Sequence, residues 1–188
     1  MTSIKNVFDS YAERLSSALR NPEVFANLEE LCISLKEAWE YKRNIFICGN
    51  GGSAGNAIHL ANDFNYGIDK TNGVGMRIEA LPANQSVVTC LANDEGYENI
   101  FSQQISVKGD AGDILIVLSG SGNSPNVVKA LEVAKKMGIK TFAILGFSGG
   151  KCKQIADFPI HFPMNDMQVS EDLQMIVGHI CMQWLSKK

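Results

Sequence analysis

The chain has 188 residues, 45% of them hydrophobic and 20% charged, with a net charge of −3. Such a length builds one domain with a substantial core, and such a balance is that of a soluble globular protein. The slight negative charge offers no electrostatic footprint for direct nucleic-acid binding, and no apolar run is long enough to span a bilayer.

In chain order, the residues up to about Tyr41 read as helical. Ile4, Val7, Phe8, Tyr11, Leu15, Ala18 and Leu19 recur at helical spacing, and Asn21-Pro22 breaks the pattern. A second helix follows, with Phe25, Leu28, Leu31, Cys32, Leu35, Ala38 and Trp39 on one face. From Asn44 the period changes. Ile45-Phe-Ile-Cys48 is a short apolar run ending at Gly49, as a buried parallel strand requires. Similar runs occupy Met76–Leu81, Asp113–Leu118, Thr141–Leu145 and Phe158–Phe162. Helical segments separate them, at about Ser53–Phe64, Gln85–Phe101 with a break near Asp94-Glu-Gly96, Ser124–Met137 and Lys151–Ile155. A last helix runs from about Val169 to Leu185.

Strands that alternate with helices predict a doubly wound α/β fold with a parallel sheet, in one domain spanning 1–188. The helical extension at 1–42 would pack against the sheet or against another subunit. The five cysteines are scattered and odd in number, without zinc-finger or C-x-x-C spacing. Reduced thiols and an N-terminus without an apolar signal core place the expected location in the cytoplasm.

Two strand ends carry loops suited to phosphate. Ser119-Gly-Ser-Gly-Asn-Ser124 lies between an apolar run and the helical pattern that starts at Pro125. A helix start offers free N–H groups and the positive end of its dipole, the hydroxyls add donors, and the glycines let a ligand approach the backbone. The loop holds no Lys or Arg, so a small phosphate is a better guest than a polyanion. The first loop, Cys48-Gly-Asn-Gly-Gly-Ser-Ala54, contains G-x-G-x-x-A, which also fits a dinucleotide fingerprint with Glu79 as its acidic partner. The second, serine-rich loop argues against that reading, because a nicotinamide site does not need it. A Walker loop is excluded, since Cys152 follows Gly149-Gly150-Lys151 and Leu145 stands at the first glycine position.

Two helix faces carry groups for chemistry. His59 and Asp63, four residues apart, share a face. Glu171 and His179 lie about 80° apart around the last helix and about two turns along it, with Met175 between them. Two imidazoles and two carboxylates suit a zinc-like metal. His161, inside an apolar strand, reads as structural. Asn93-Asp94 reads equally as a helix end or turn, or as a sugar-hydroxyl acceptor or proton-transfer carboxylate.

Together these motifs resemble the sugar isomerase (SIS) domain family, and within it the phosphoheptose isomerases. The matching residues are Cys48-Gly-Asn-Gly-Gly-Ser53, the His59 helix, Asn93-Asp94 with Gly96, Ser119-x-Ser-Gly-Asn-Ser124 and the last helix with His179. The resemblance spans essentially the whole chain. It implies a five-stranded parallel sheet flanked by helices and a homotetramer whose sites draw on more than one subunit. It also implies an aldose–ketose isomerisation through an enediol, from sedoheptulose 7-phosphate to D-glycero-manno-heptose 7-phosphate. Asp63 and His179 would move the proton, with Asp94 as a further candidate. Zinc would sit on His59, Asp63, Glu171 and His179. Phosphosugar contacts would come from Asn50, Gly51, Gly52, Ser53, Asp94, Ser119, Gly120, Ser121, Ser124 and Glu171.

The chain departs from the family at its catalytic edge. Asp63 replaces a glutamate and reaches one methylene less far, and a misplacement of about 1 Å is worth about a hundredfold in rate. Glu171 replaces a glutamine, adding charge to the metal set. Gly120 replaces a threonine, Asn56 an aspartate and Gly67 an arginine, with Lys70 the nearest cation. These changes leave room for another phosphosugar. They also leave room for a non-catalytic role, as a phosphosugar-binding regulator or an adaptor like the relatives that bind the replication initiator.

Overall fold

The computed structural model describes residues 2–69 and 73–186, so Lys70 lies outside the described residues. The strands are β1 (Ile45–Cys48), β2 (Ile78–Ala80), β3 (Ile114–Ser119), β4 (Lys140–Leu145) and β5 (Phe158–His161). The helices are α1 (Ile4–Leu19), α2 (Phe25–Glu40), α3 (Gly52–Asn65), α4 (Gln85–Asp94), α5 (Ser102–Lys108), α6 (Pro125–Lys136), α7 (Gly150–Ile155) and α8 (Met167–Leu185). All strand pairs are parallel, in the order β2-β1-β3-β4-β5.

The pleat explains why the strand sequences are apolar throughout. Side chains alternate between faces, and helices cover both. Ile45, Ile47, Ile114, Ile116, Phe142 and Ile144 face a core shared with α2, α3 and α8. Phe46, Cys48, Leu115, Val117, Ala143 and Leu145 face a second core shared with α5 and α6. The helices that follow β1 and β3 therefore lie on opposite faces of the sheet. A crevice opens between the ends of those adjacent strands, where an open α/β sheet binds ligands.

Two elements differ from the sequence reading. The run Met76–Leu81 pairs only over Ile78–Ala80, at the sheet edge. The helix from Gln85 stops at Asp94, and a 3-10 turn at Tyr97–Asn99 leads into α5. That helix was not anticipated, because Ile105 is its only buried apolar residue; Ser102 and Gln104 are buried with it. Gln104 is held by bonds from its amide to the carbonyls of Leu81 and Ile100.

The N-terminal helix is tied to α8. The Tyr11 hydroxyl donates to Asp172 at 2.6 Å, and Arg14 pairs with Asp166, the N-cap of α8. Burial and the Asp172 carboxylate raise the Tyr11 phenol to about 12, so it stays a donor. Only Ala18 of α1 is buried, and Ile4, Val7 and Phe8 are exposed. No helix among the described residues is long and apolar enough to cross a membrane.

α3 and α8 cross closely because Gly178 carries no side chain. A Cβ there would lie 2.8 Å from Leu60 Cδ1, well inside contact distance. Gly178→Val should therefore lower unfolding stability by about 1–3 kcal/mol through overpacking, read from a urea titration, with the helical circular dichroism retained.

Candidate functional site

The site is built at the crevice and along α3. β1 ends at Cys48, and the chain must turn beside the β3 loop. A Cβ on Gly49 would lie 2.7 Å from the carbonyl oxygen of Leu118 and 2.7 Å from Ser53 Cβ. Gly51 then takes a φ of +54°, a conformation that favours glycine, and α3 begins at Gly52. In the second loop Gly122 has a φ of +66° and packs on the backbone of Gly149.

The serines of both loops are held with their oxygens accepting. Ser119 Oγ accepts from the Gly122 N–H at 3.0 Å, and Ser121 Oγ accepts from the Asn123 N–H at 3.3 Å. Ser53 Oγ accepts from Gln174 Nε2 at 3.0 Å. A hydroxyl that has accepted still has one proton to give, so each can donate to an anion. Ser124 caps α6 at its extended backbone position without a side-chain capping bond, ahead of Pro125. A Cβ on Gly120 would meet the flexible end of Met167, 2.6 Å from Sδ, which that exposed side chain can move aside.

An amide pair locks the two loops together. Asn50 Nδ2 donates to Asn126 Oδ1 at 2.9 Å, and Asn126 Nδ2 returns a bond to Asn50 Oδ1 at 2.8 Å. The Val127 N–H also donates to Asn126 Oδ1, which sets the orientation of that amide. Tyr97 donates its hydroxyl to Asn50 Oδ1 at 3.0 Å, linking the end of α4 to the first loop. Asn50 Oδ1 thus accepts from two groups, while its Nδ2 keeps one proton for a ligand. Asp94, the last residue of α4, is exposed and accepts from Asn93 Nδ2 and Cys90 Sγ.

Further along α3, the His59, Asp63 and His179 side chains converge. Asp63 Oδ2 lies 3.2 Å from His59 Nε2 and 3.4 Å from His179 Nε2. One ligand atom from each lies within 4.8 Å of the others. Zinc–ligand bonds of about 2.0–2.1 Å in a tetrahedron separate ligand atoms by about 3.3–3.4 Å. The donor types therefore suit a zinc-like ion, and the two separations from Asp63 match that geometry, with ring nitrogens of the two imidazoles within 4.8 Å of each other.

Glu171 does not join that cluster. Its carboxylate lies directly over Gly52, so close that a Cβ at Gly52 would collide with both oxygens. The α8 crossing carries Glu171 to the start of α3 and His179 to the middle of it. Of the four residues expected to hold a metal, His59, Asp63 and His179 come together and Glu171 lies apart from them at the start of α3.

Other readings resolve simply. His161 Nε2 meets the Phe147 carbonyl at 2.9 Å, a structural role. Glu79, on the edge strand, pairs with Lys108 at 2.5 Å. All five cysteines are free. Sequence reasoning missed Asn126 and Gln174. Each is a polar residue on a largely apolar buried stripe, Asn126 with Ala130 and Ala134, Gln174 with Ser170, Val177 and Cys181. That mismatch was the available signal.

Asn126→Leu should strand the Asn50 amide and the Val127 N–H. Stability should fall by about 1–3 kcal/mol in a denaturant titration, with weaker phosphate binding in the same preparation.

The SIS domain family matches residues 8–146. The chain is 36% identical over 162 residues to the phosphoheptose isomerase of Akkermansia muciniphila, covering 86% of this chain and 85% of that one. It is 36% identical over 177 residues to the phosphoheptose isomerase of Helicobacter pylori strain P12, covering 94% and 91%. The solved structure of a phosphoheptose isomerase from Francisella tularensis matches with a TM-score of 0.90 over 100% of both chains, at 23% identity, a likeness of fold.

Proposed function

From the premise that the chain belongs to the SIS domain family, and within it to the phosphoheptose isomerases, we propose that it isomerises sedoheptulose 7-phosphate to D-glycero-manno-heptose 7-phosphate. The observation that carries this reading is the arrangement along α3. Its first turn holds Ser53, next to Gly49 at the end of β1, and His59 follows six residues later. At 1.5 Å and 100° per residue these lie about 9 Å apart along the axis and about 120° apart around it, Ser53 on the buried side and His59 on the exposed one. The axial part is comparable to the length of an extended seven-carbon phosphosugar, which would pass around α3 from the phosphate at one end to the reacting carbons at the other.

The reaction needs a base to take the proton beside the carbonyl, an acid to return it one carbon away, and stabilisation of the enediol oxygen. Asp63 and His179 are in mutual contact, Oδ2 to Nε2, and serve as the proton-transfer pair, through the other carboxylate oxygen and the other ring nitrogen when those two atoms hold the ion. Asp63 also orients both imidazoles. His59, Asp63 and His179 would hold zinc, and the ion would supply Lewis-acid polarisation of the sugar carbonyl. The donors of Ser119, Ser121, Ser124 and Ser53 hold the phosphate, helped by the backbone of Gly51, Gly52 and Gly120. Asn50, which also accepts from Tyr97, and Asp94 hold sugar hydroxyls, and Glu171 faces the substrate from above Gly52.

The proposal includes a homotetramer, in which the 1–42 extension packs between subunits of a cytoplasmic enzyme. The uncovered apolar residues Ile4, Val7 and Phe8 of α1 and Ile180 and Trp184 of α8 support an assembly of this kind. Light scattering after size-exclusion chromatography should give the tetramer mass. A monomer would remove this part.

Incubation with sedoheptulose 7-phosphate and zinc should yield the aldoheptose 7-phosphate. Asp63→Asn and His179→Gln should each lower kcat by roughly a hundredfold or more. Chelation should reduce turnover and added zinc should restore it. Turnover of another phosphosugar alone would reassign the substrate. Tight phosphosugar binding without any turnover would favour the regulator.

A further inference from the structure

We propose that Gln174 is a positioning residue that fixes the polarity of the Ser53 hydroxyl, so that Ser53 meets the phosphosugar as a hydrogen-bond donor. The inference rests on the phosphosugar reading above.

The orientation follows from a main-chain atom that can only accept. Asn56 Nδ2 lies 3.0 Å from the carbonyl oxygen of Glu171, so the nitrogen of that amide must point to α8. The same nitrogen lies 3.0 Å from Gln174 Oε1. Gln174 must therefore turn its oxygen to Asn56 and its nitrogen to Ser53, where Nε2 stands 3.0 Å from Oγ. An amide nitrogen donates and cannot accept. Ser53 Oγ is thus compelled to accept from Gln174, and its own proton must go elsewhere. Among the described residues no hydrogen bond donated by Ser53 is found, which leaves that proton for a ligand at the start of α3.

Burial makes the constraint firm. Gln174 is 1% exposed and Ser53 4%, so bulk water does not compete to rotate either group. The bonds run in one direction, from Asn56 to Gln174 to Ser53, and each polarises the next. A hydroxyl turned the other way would present a lone pair to an anionic oxygen. Gln174 Oε1 is taken by Asn56 and one of its two Nε2 protons by Ser53, and with 1% of the residue exposed the serine is the group through which it reaches the crevice.

The test measures binding of inorganic phosphate and of sedoheptulose 7-phosphate by calorimetry, together with KM and kcat. Ser53→Ala is the reference, and Gln174→Met keeps the volume while removing the relay. Each should weaken phosphate binding on the order of tenfold, raising KM with kcat near that of the unaltered protein. The double variant should bind no more weakly than Ser53→Ala alone, since both changes remove one interaction. Asn56→Ala, at a half-buried position, should move binding the same way by a smaller factor, and it carries the test if Gln174→Met fails to fold. The proposal is overturned if Ser53→Ala binds as well as the unaltered protein. It is also overturned if the relay variants keep full binding while Ser53→Ala loses it, or if the losses add. Coupled loss of inorganic phosphate binding in a protein that turns over no heptose phosphate would uphold the relay and reject the substrate.

Discussion

The close crossing of α3 and α8 is the constraint on which the rest depends. Gly178 lets the helices approach until Leu60 fills the space a side chain would take. At that distance Asp63 reaches His179, and Asn56 reaches both Gln174 and the Glu171 carbonyl. Glu171 is brought over Gly52 by the same crossing. One helix contact therefore sets the imidazole–carboxylate cluster and the hydrogen-bond polarity of the first loop together. A shift along it would disturb both.

The crevice and the helix pair divide the chemistry. At the strand ends the protein presents donors: hydroxyls whose oxygens are already engaged, an asparagine with one free proton, and the start of α3. These suit phosphate and sugar oxygens, and helix starts reinforce them through their dipoles. Further along α3 it presents imidazoles and a carboxylate, which suit proton transfer and a divalent ion. The departures from the family pattern fall on this frame in distinct ways. Gly120 lies against the flexible end of Met167, which begins α8. Asn56 pairs with Gln174 as one neutral amide to another. Glu171 sets a carboxylate at the sugar-loop end, where the positive end of the α3 dipole lies.

Much of the fold could be read directly. The strands announce themselves because a sheet covered on both faces needs continuous apolar runs, as in Ile45–Cys48 and Ile114–Leu118. α5 escaped because Ser102 and Gln104 are buried through hydrogen bonds, which leave no hydrophobic period to detect. His59 and Asp63 were readable as neighbours because four residues make one helical turn. Asn126 and Gln174 were not, because an isolated amide in a helix says nothing about its partner until another element is placed against it.

The sequence by itself determined the α/β alternation, the two glycine- and serine-bearing strand ends, and the family, because local periodicity and short motifs are properties of contiguous residues. Only the tertiary structure decided which side chains meet. It joined His179 to His59 and Asp63, set Glu171 apart from them, and revealed the amide locks at Asn126 and Gln174. The physical reason is that these contacts follow from where α3 and α8 cross and from how β1 and β3 pair. Both are relations between distant segments that hydrophobic burial and close packing establish together.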